Sequence, residues 1–503
     1  GVLPSSVVCG VCDEGYTKTG GPNGICTSCQ AANIILHIVV LILIVVVMIT
    51  VCCCARCNQK HIRKYQSAFG DAGKLFNIIV SLMQVNSSLS NVSPHVQWPQ
   101  SLTSFYDTFE ILNFEVTSVV GGACVSPLLG SFAIKYIALC ALPAIIVLLT
   151  GLRLMANSNK KKKQESSALG ATTLFDNDST GNEAVAEEIF DAFDEDHSGD
   201  VDSLELTTLL QDLGIKTTKE DCRIAISALE GSPETMRRNT FVAALINGKL
   251  PGVDVAAVQR LSDTTKRKKA TSVLLSSSLQ LLALLHTPVS RATFSYFQCH
   301  EVVGRKYMRT DYTIECWTSE KWLLFLPVVL SVLLGFTLLM PAGIGVYLFS
   351  QRHRLYTVSV QQRIGFLYKG FTKHAEFWLV HEMMRKLLLT GFLVLVPRVL
   401  KTPMGILVSL IALINLNYFR PHRSTLVFWA AQGSFSITAL TYCMSSVFVA
   451  AEQLEQNDGD DSSAEIVAIF LVSLNTLFLV LTASSAVMVV VVLRIYGNCT
   501  DCE

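Results

Sequence analysis

Six oxygen donors recur at set positions in one acidic segment, Asp194-Glu-Asp-His-Ser-Gly-Asp-Val-Asp-Ser-Leu-Glu205. They fall at its first, third, fifth, seventh, ninth and twelfth positions, which are Asp194, Asp196, Ser198, Asp200, Asp202 and Glu205. Calcium takes about six to eight oxygen ligands, including the backbone carbonyl of the seventh position and both carboxylate oxygens of the twelfth. Gly199 at the sixth position permits the sharp turn that such a loop needs. A solvated acidic loop would not combine these features, so the segment predicts a calcium site.

The flanking residues predict that this loop belongs to an EF-hand, a helix-loop-helix calcium motif. Apolar residues repeat at helical spacing on both sides, and Val201 is expected to pair with a partner loop. A second unit follows, with helices predicted over 221–229 and 239–246. Its loop lacks the alternating oxygens and carries Pro233, Arg237 and Arg238, so we expect a structural partner that binds no metal.

The composition of the chain excludes a set of soluble domains. Of 503 residues, 50% are apolar and 16% are charged, and the mean hydropathy is +0.44. Lys plus Arg and Asp plus Glu both number 40, which leaves no net field to attract nucleic acid. The sequence therefore predicts a polytopic membrane protein.

Nine transmembrane helices are predicted, since about 20 apolar residues cross a bilayer core. They are 34–54, 74–90, 131–154, 270–288, 322–350, 376–397, 403–419, 425–450 and 464–494. Basic clusters after the first and third helices should both be cytosolic, which requires the weakly apolar helix 74–90 to cross. The N-terminus is then extracellular and the C-terminus cytosolic, and only Arg398 and Lys401 oppose this orientation.

This topology assigns the remaining segments to two sides of the membrane. Residues 1–33 are expected to be an extracellular cysteine-rich module, the end of a longer ectodomain, and 91–130 a second extracellular segment. Residues 156–269 are expected to hold a cytosolic linker and an EF-hand pair over 182–248. Residues 270–496 form a six-helix unit, and 497–503 begin a cytosolic tail.

Cysteines and sequons on the outside are candidates for covalent modification. Cys9, Cys12, Cys26 and Cys29 have the spacing of a zinc ribbon, but an extracellular compartment favours disulfides, in a module that resembles ephrin-receptor or epidermal-growth-factor repeats. Cys299 and Cys316 bracket sixteen residues and are expected to pair. Asn86 and Asn91 stand in glycosylation sequons, a triplet that also occurs often by chance.

Scattered motifs of the membrane unit resemble the transient-receptor-potential-like (TRP-like) membrane proteins of fungi and protists. They are Gln84 with Trp98-Pro99, His286-Thr-Pro288, Asp311-Tyr-Thr-Ile-Glu-Cys316, Arg363-Ile-Gly-Phe-Leu-Tyr368, Glu382-Met-Met-Arg385-Lys386 and Tyr418-Phe-Arg420-Pro421-His422. The resemblance implies a calcium-permeable cation channel, with fungal relatives linked to flavin transport.

The connection between the last two helices is predicted to be a loop over 451–464, too short for a potassium-type filter. Its acidic residues are either an outer ring that concentrates cations or an exposed polar loop. They are Glu452, Glu455, Asp458, Asp460, Asp461 and Glu465.

We therefore expect an all-α polytopic membrane protein with a small cytosolic EF-hand pair and a disulfide-rich extracellular N-terminal fragment. The expected function is a calcium-regulated TRP-like cation channel or channel subunit. The alternative is a membrane anchor or receptor base for a large cysteine-rich ectodomain or filament. An enzyme is not expected, because the zinc-protease-like His381-Glu-Met-Met-Arg385 lacks the second histidine.

The expected cofactor is Ca²⁺. The expected partners are membrane lipid, further copies or other membrane subunits, and extracellular matrix or filament proteins, without nucleic acid. The expected location is the plasma membrane, or a ciliary, flagellar or other secretory-pathway membrane.

Overall fold

The computed structural model describes residues 16–19, 25–28, 66–113 apart from 95 and 97, 131–168, 186–187, 189–190, 193, 199–212, 217–230, 235–250 apart from 248, 255–355, 360, 364–458 and 462–499. The predicted first transmembrane helix, 34–54, lies outside these residues. The described part is mostly helical.

Helices account for nearly all of the described apolar segments. They are α1 (Gln66–Asn86), α2 (Leu89–Val92), α3 (Gln100–Asp107), α4 (Phe132–Ala168), α5 (Ser203–Asp212), α6 (Lys219–Glu230), α7 (Arg238–Ile246), α8 (Val255–Ser295), α9 (Glu320–Val332), α10 (Leu339–Ser350), α11 (Trp378–Leu387), α12 (Leu393–Leu395), α13 (Arg398–Phe419), α14 (Thr425–Asp458) and α15 (Ser462–Cys499). Short 3-10 helices cover Glu110–Asn113 and Gly365–Leu367. Two π-helical segments, Leu333–Leu338 and Leu388–Phe392, join α9 to α10 and α11 to α12.

Three small antiparallel sheets complete the described structure. The strands are β1 (Tyr16–Thr19), β2 (Ile25–Ser28), β3 (Asp200–Asp202), β4 (Thr235–Arg237), β5 (Cys299–Val302), β6 (Arg305–Met308) and β7 (Asp311–Glu315). Strand β1 pairs with β2, β3 pairs with β4, and β5, β6 and β7 form one sheet in that order.

The chain forms two compact units. The membrane unit comprises Gly1–Ala144, Leu281–Phe349 and Tyr368–Glu503. The loop unit comprises Ile145–Gln280 and Ser350–Leu367.

Four described helical segments are long and apolar enough to cross a membrane. They are Phe132–Ala156, Glu320–Ser350, Arg398–Phe419 and Ala464–Val489. Each overlaps a predicted span, which fits a membrane protein. Four more predicted spans, 74–90, 270–288, 376–397 and 425–450, fall on helices of the described part that do not meet this test of length and apolarity.

At two of the predicted spans the helices run further than the spans themselves. Helix α8 continues seven residues past Pro288, to Ser295, and begins at Val255 within the predicted linker. The predicted loop over 451–464 is largely helical, since α14 runs to Asp458 and α15 begins at Ser462. Ala, Glu, Gln and Leu fill 450–456, and these residues are strong helix formers, so the helix continues beyond the apolar run.

Candidate functional site

A short antiparallel ladder joins the two loops of the loop unit. Strand β3 pairs with β4, with Val201 opposite Met236 at its centre. Both side chains are fully buried. Gly199, immediately before β3, has φ +85°, a left-handed conformation that glycine adopts readily. The expected pairing of Val201 with a partner loop is confirmed, and Gly199 makes the turn that its position predicts.

Asp202 and Glu205 cap the first turn of α5 reciprocally. The Asp202 Oδ1 accepts hydrogen bonds from the backbone N–H of Leu204 at 2.7 Å and of Glu205 at 2.8 Å. The Glu205 Oε2 accepts from the backbone N–H of Asp202 at 3.0 Å. This capping box fixes the start of α5 and places the Glu205 carboxylate back over the loop.

In the second loop an arginine holds the acidic side chain. The Glu230 Oε1 accepts from the Arg237 backbone N–H at 3.1 Å and from its Nε at 2.9 Å. The Thr240 hydroxyl and then these Arg237 contacts hold the pKa of Glu230 below its usual range. The carboxylate that opens this loop is therefore bound by a guanidinium, which supports a structural role for the second loop.

An apolar core holds the helices of this unit around the ladder. Phe190 and Phe241 meet edge to face with ring centroids 5.5 Å apart, and the Arg238 guanidinium lies 4.8 Å from the Phe190 centroid. The buried core residues are Ala186, Ile189, Phe190, Phe193, Val201, Leu206, Leu209, Leu210, Cys222, Ile226, Met236, Phe241, Val242, Ala244, Leu245 and Leu250. The core draws on both predicted helix-loop-helix units, so the two loops belong to one packed body.

Three of the six predicted calcium ligands, Asp200, Asp202 and Glu205, lie in this described framework. Asp194, Asp196 and Ser198 lie outside the described residues. Within the described part of the chain, no group of three or more His, Cys, Asp or Glu side chains is placed to hold a metal. Calcium binding therefore stays a prediction, to which the ladder and the turn geometry lend support.

In the membrane unit, a buried glutamine donates a hydrogen bond to a backbone carbonyl. This carbonyl lacks its usual helical N–H donor because a proline stands four residues later. Pro288 lies inside α8 and has no N–H to donate to the Leu284 carbonyl. The Gln84 Nε2 of α1 donates to that carbonyl at 3.4 Å and to the Leu112 carbonyl at 3.0 Å. Gln84 thus links α1 to α8 at the proline.

A buried histidine donates a hydrogen bond to a second carbonyl that a proline leaves without its N–H donor. Pro341 cannot donate to the Thr337 carbonyl four residues before it, and the His286 Nε2 lies 3.0 Å from that oxygen. A carbonyl only accepts, so the Nε2 of His286 carries the proton and donates. This bond joins α8 to the π-helical segment between α9 and α10, and π-helical turns occur frequently at functional sites.

Two ion pairs lie among the apolar helices. The Arg291 Nη2 of α8 is 3.3 Å from the Glu110 Oε1, and both side chains are almost fully buried. The Arg385 Nη2 of α11 is 2.7 Å from the Glu382 Oε1, and its guanidinium lies 4.1 Å from the Phe435 ring centroid on α14. Ionisable side chains in such surroundings are candidates for function rather than packing alone.

The predicted glycosylation sites are packed inside the membrane unit. Asn86 is fully buried and its Nδ2 lies 3.4 Å from the Asn475 Oδ1 on α15. Asn91 is 6% exposed, and its carbonyl accepts from the Gln298 Nε2 at 2.9 Å. This burial argues against glycosylation of either asparagine in the folded chain. The sequon is a local triplet and does not report burial.

The expected disulfide between Cys299 and Cys316 is confirmed, with their Cα atoms 6.4 Å apart. It joins the start of β5 to the end of the three-stranded sheet. Cys26 lies in β2, opposite Lys18 of β1. Cys9, Cys12 and Cys29 lie outside the described residues, so their pairing or metal binding stays a prediction.

The acidic residues expected at an outer mouth are spread over two helices. Glu452, Glu455 and Asp458 belong to α14 and Glu465 to α15. Asp460 and Asp461 lie outside the described residues. An acidic ring built on these six residues stays a prediction. Four of the six lie on helices and not in the loop that the sequence predicts.

Lys401 is a buried residue whose role sequence reasoning missed. Its Nζ donates to the Val92 carbonyl at 2.8 Å and to the Val394 carbonyl at 3.1 Å. These carbonyls lie in the last turns before α2 and α12 end, where carbonyls have no N–H donor from their own helix. Pro94 and Pro397 follow these two helices and end them, which is the sequence signal that the last carbonyls need donors from elsewhere.

Comparison with protein-family models, with curated proteins and with solved structures finds no match to this chain. The TRP-like resemblance therefore stays a prediction that rests on the motifs alone.

Proposed function

We propose that this chain is a calcium-regulated, TRP-like cation channel, or a subunit of one, in a cell membrane. The observation that carries the regulatory part is the ladder between β3 and β4. It aligns the acidic loop with a second loop in the manner of a paired EF-hand, with Val201 opposite Met236. The four apolar helices support the membrane part of the proposal.

The capping box suggests how calcium would act on the loop unit. The Glu205 Oε2 holds the Asp202 backbone N–H, whereas a calcium loop needs both carboxylate oxygens of its twelfth residue on the ion. Calcium and the capping bond therefore compete for the same carboxylate. Because Glu205 lies in the first turn of α5, its reorientation would shift this helix against the shared core.

Buried polar side chains on the last two helices support a path for ions through the membrane unit. Ser434, Thr438, Thr441 and Ser445 lie on α14, and each is at most 1% exposed. Asn475 on α15 is equally buried but bonds to Asn86 between helices, so the hydroxyls of α14 carry this argument. Groups of this kind serve in polar paths as well as in bonds between helices. The hydroxyls of Thr438 and Thr441 donate to carbonyls of their own helix, so their oxygens keep acceptor capacity.

The test is patch-clamp recording from the purified chain in liposomes, with calcium stepped on the side of the loop unit. A Glu205→Gln variant is compared with Glu220→Gln, which removes an exposed carboxylate in the first turn of α6. We expect a cation current that responds to calcium in the wild type and in Glu220→Gln. Glu205→Gln should need about ten to a hundred times more calcium, because a ligand carboxylate is lost.

Calcium binding by the same preparations, measured by isothermal titration, separates the two halves of the proposal. Binding without current would refute conduction by this chain alone and favour the anchor interpretation. Absence of binding in the wild type would refute the sensor. Equal responses of both variants would refute the role of Glu205.

A further inference from the structure

Two exposed apolar residues with unusual backbone conformations lie on the disulfide-linked sheet. Val303 follows β5, is 98% exposed and has φ +50°, and Gly304 beside it has φ +72°. Trp317 follows β7, is 54% exposed and has φ +70°. Four non-glycine residues of the described chain have a positive φ, and these are two of them.

Backbone pairing brings these residues to the same end of the sheet. Strands β5 and β6 pair on either side of the Val303–Gly304 turn. On the other edge of β6, the Lys306 carbonyl accepts a hydrogen bond from the Cys316 N–H at 2.7 Å. Trp317 comes directly after Cys316, so it stands beside the strand that leaves the turn. We call Val303, Gly304 and Trp317 the sheet tip.

The turn of the sheet tip is unfavourable for one of its residue types. Two-residue hairpin turns in which both residues have a positive φ prefer Asn-Gly, whereas β-branched valine is strained there. Core packing does not offset this strain, because almost all of the Val303 surface is exposed. The Cys299–Cys316 disulfide and the strand pairing hold the sheet in place. Backbone strain that the surrounding structure maintains marks a candidate for function.

The sheet extends between the first turns of two helices, and the sheet tip lies at the α9 end. At the opposite end, the Asp311 Oδ2 accepts from the Phe132 N–H, in the first turn of α4, at 3.3 Å. At the tip end, the Trp317 ring centroid lies 4.4 Å from that of Trp322, in the first turn of α9. The sheet tip is therefore fixed at the start of α9.

The surface next to the sheet tip belongs to a segment that is long and apolar enough to cross a membrane, Glu320–Ser350. Leu323 and Leu324 in this segment are exposed, and they directly follow Trp322, against which Trp317 packs. The exposed indole of Trp317 is thus continuous with a helix face suited to lipid chains. Tryptophan is enriched where such helices leave the hydrocarbon core.

We propose that the sheet tip docks into the lipid interface of the membrane that α9 enters, with the side chains of Val303 and Trp317 among headgroups and upper acyl chains. Burial of these two apolar side chains in lipid offsets the strain of the turn. The docking would hold the disulfide-linked sheet against the bilayer beside α9. It does not depend on whether the chain conducts ions.

The charges around the sheet tip indicate apolar docking and not attraction to anionic lipid. The Arg305 Nη1 lies 3.9 Å from the Glu315 Oε2. Lys306 stands opposite Glu301 in the ladder between β5 and β6. Each cation beside the turn thus has a carboxylate on the neighbouring strand, so we expect docking on zwitterionic lipid alone.

The first test measures tryptophan fluorescence of the full chain in phosphatidylcholine nanodiscs, with lipids brominated high or low on their acyl chains as quenchers. Val303→Trp adds a reporter at the sheet tip, and Thr310→Trp adds one in the exposed turn at the other end of the sheet. The difference between variant and wild-type spectra gives the emission of each reporter. High bromine should quench the Val303→Trp reporter about twofold more than low bromine, because interfacial side chains reach only ~5–10 Å into the headgroup and acyl boundary. The Thr310→Trp reporter should be quenched by neither lipid.

The second test uses the native indole and adds no apolar residue. Trp317→Phe should remove emission that high bromine quenches in the wild type. Trp378→Phe is the matched control, because the Trp378 ring is 5% exposed and stacks on His381 and Phe435. It should remove emission that high bromine does not quench.

The third test separates apolar docking from charge attraction. Mixing phosphatidylserine into the nanodiscs, or replacing Arg305→Gln, should leave the quenching of the Val303→Trp reporter unchanged. Quenching that requires phosphatidylserine would overturn the proposal, as would equal quenching of the Val303→Trp and Thr310→Trp reporters. A Val303→Trp reporter that is shielded from aqueous iodide but reached by neither brominated lipid would also overturn it, since a protein partner or a second copy of this chain then covers the sheet tip.

Discussion

A single added methyl group at Gly405 should disrupt the contact between α13 and α14. A Cβ at this position would lie 2.3 Å from both Cδ1 and Cε1 of Tyr442, whereas ordinary contact begins near 3.4 Å. The ring would have to retreat by about 1 Å. Tyr442 is 1% exposed and its hydroxyl donates to the Leu389 carbonyl at 3.2 Å, so the ring has neither space nor freedom to move.

The expected cost follows from three contributions. Overpacking of a filled site costs about 1 to 3 kcal/mol. Loss of the buried Tyr442 hydrogen bond adds about 1 to 3 kcal/mol. Alanine is favoured over glycine inside a helix by about 1 kcal/mol, which offsets part of this. Gly405→Ala should therefore destabilise the membrane unit by about 3 kcal/mol. The overpacking contribution is the reason that the net effect is a destabilisation.

Thermal unfolding in detergent, followed by tryptophan fluorescence, measures this effect. Gly343→Ala is the matched control, because a Cβ at Gly343 in α10 meets nothing within 4 Å. It should be neutral or slightly stabilising. In a Tyr442→Leu background, which opens space, Gly405→Ala should cost much less than in the wild type. Equal stability of Gly405→Ala and Gly343→Ala, or strict additivity with Tyr442→Leu, would refute the reasoning.

Three further predictions concern individual contacts. Cys299→Ser should destabilise the sheet by about 3 kcal/mol through loss of the bond to Cys316, and dithiothreitol should lower the unfolding temperature of the wild type but not of the variant. His286→Leu should cost about 1 to 3 kcal/mol in thermal unfolding, whereas His286→Gln, which keeps a donor, should cost less. The Thr218 side-chain hydroxyl and backbone N–H hold the pKa of Asp221 below its usual range. The stabilisation from these bonds is therefore present above the unfolded-state pKa and lost as the pH falls through the folded-state pKa. Thr218→Val should raise the pKa of Asp221 in an NMR titration, and an unchanged pKa would contradict this cause.

The features that could be predicted from sequence are those in which a local pattern contains all the relevant chemistry. Gly199 and Val201 occupy positions of the acidic loop whose backbone roles follow from spacing alone. Cys299 and Cys316 close a short segment, so few alternative pairings compete. Apolar runs such as 322–350 indicate a long helix without information from the rest of the chain.

The features that could not be predicted depend on partners far away in the chain. Asn86 meets Asn475, and Arg291 meets Glu110, at sequence separations of 389 and 181 residues. No local pattern specifies such contacts, so the sequence marks Asn86 as a candidate sequon without indicating that it is buried. The same limit applies to Lys401. Its charge opposes the orientation predicted from the basic clusters, whereas in the structure its Nζ donates to carbonyls near the ends of two helices.

Two buried polar side chains of the membrane unit, Gln84 and His286, follow a common physical rule. A proline inside or just after a helix leaves a carbonyl without its usual N–H, and no water reaches it among apolar helices to compensate. Gln84 serves the carbonyl exposed by Pro288, and His286 serves the one exposed by Pro341. Gln84 and His286-Thr-Pro288 are among the residues that carry the TRP-like resemblance, and their spacing has a structural cause whatever the chain conducts. These motifs therefore specify how the helices dock, and evidence for conduction has to come from groups that the docking does not use.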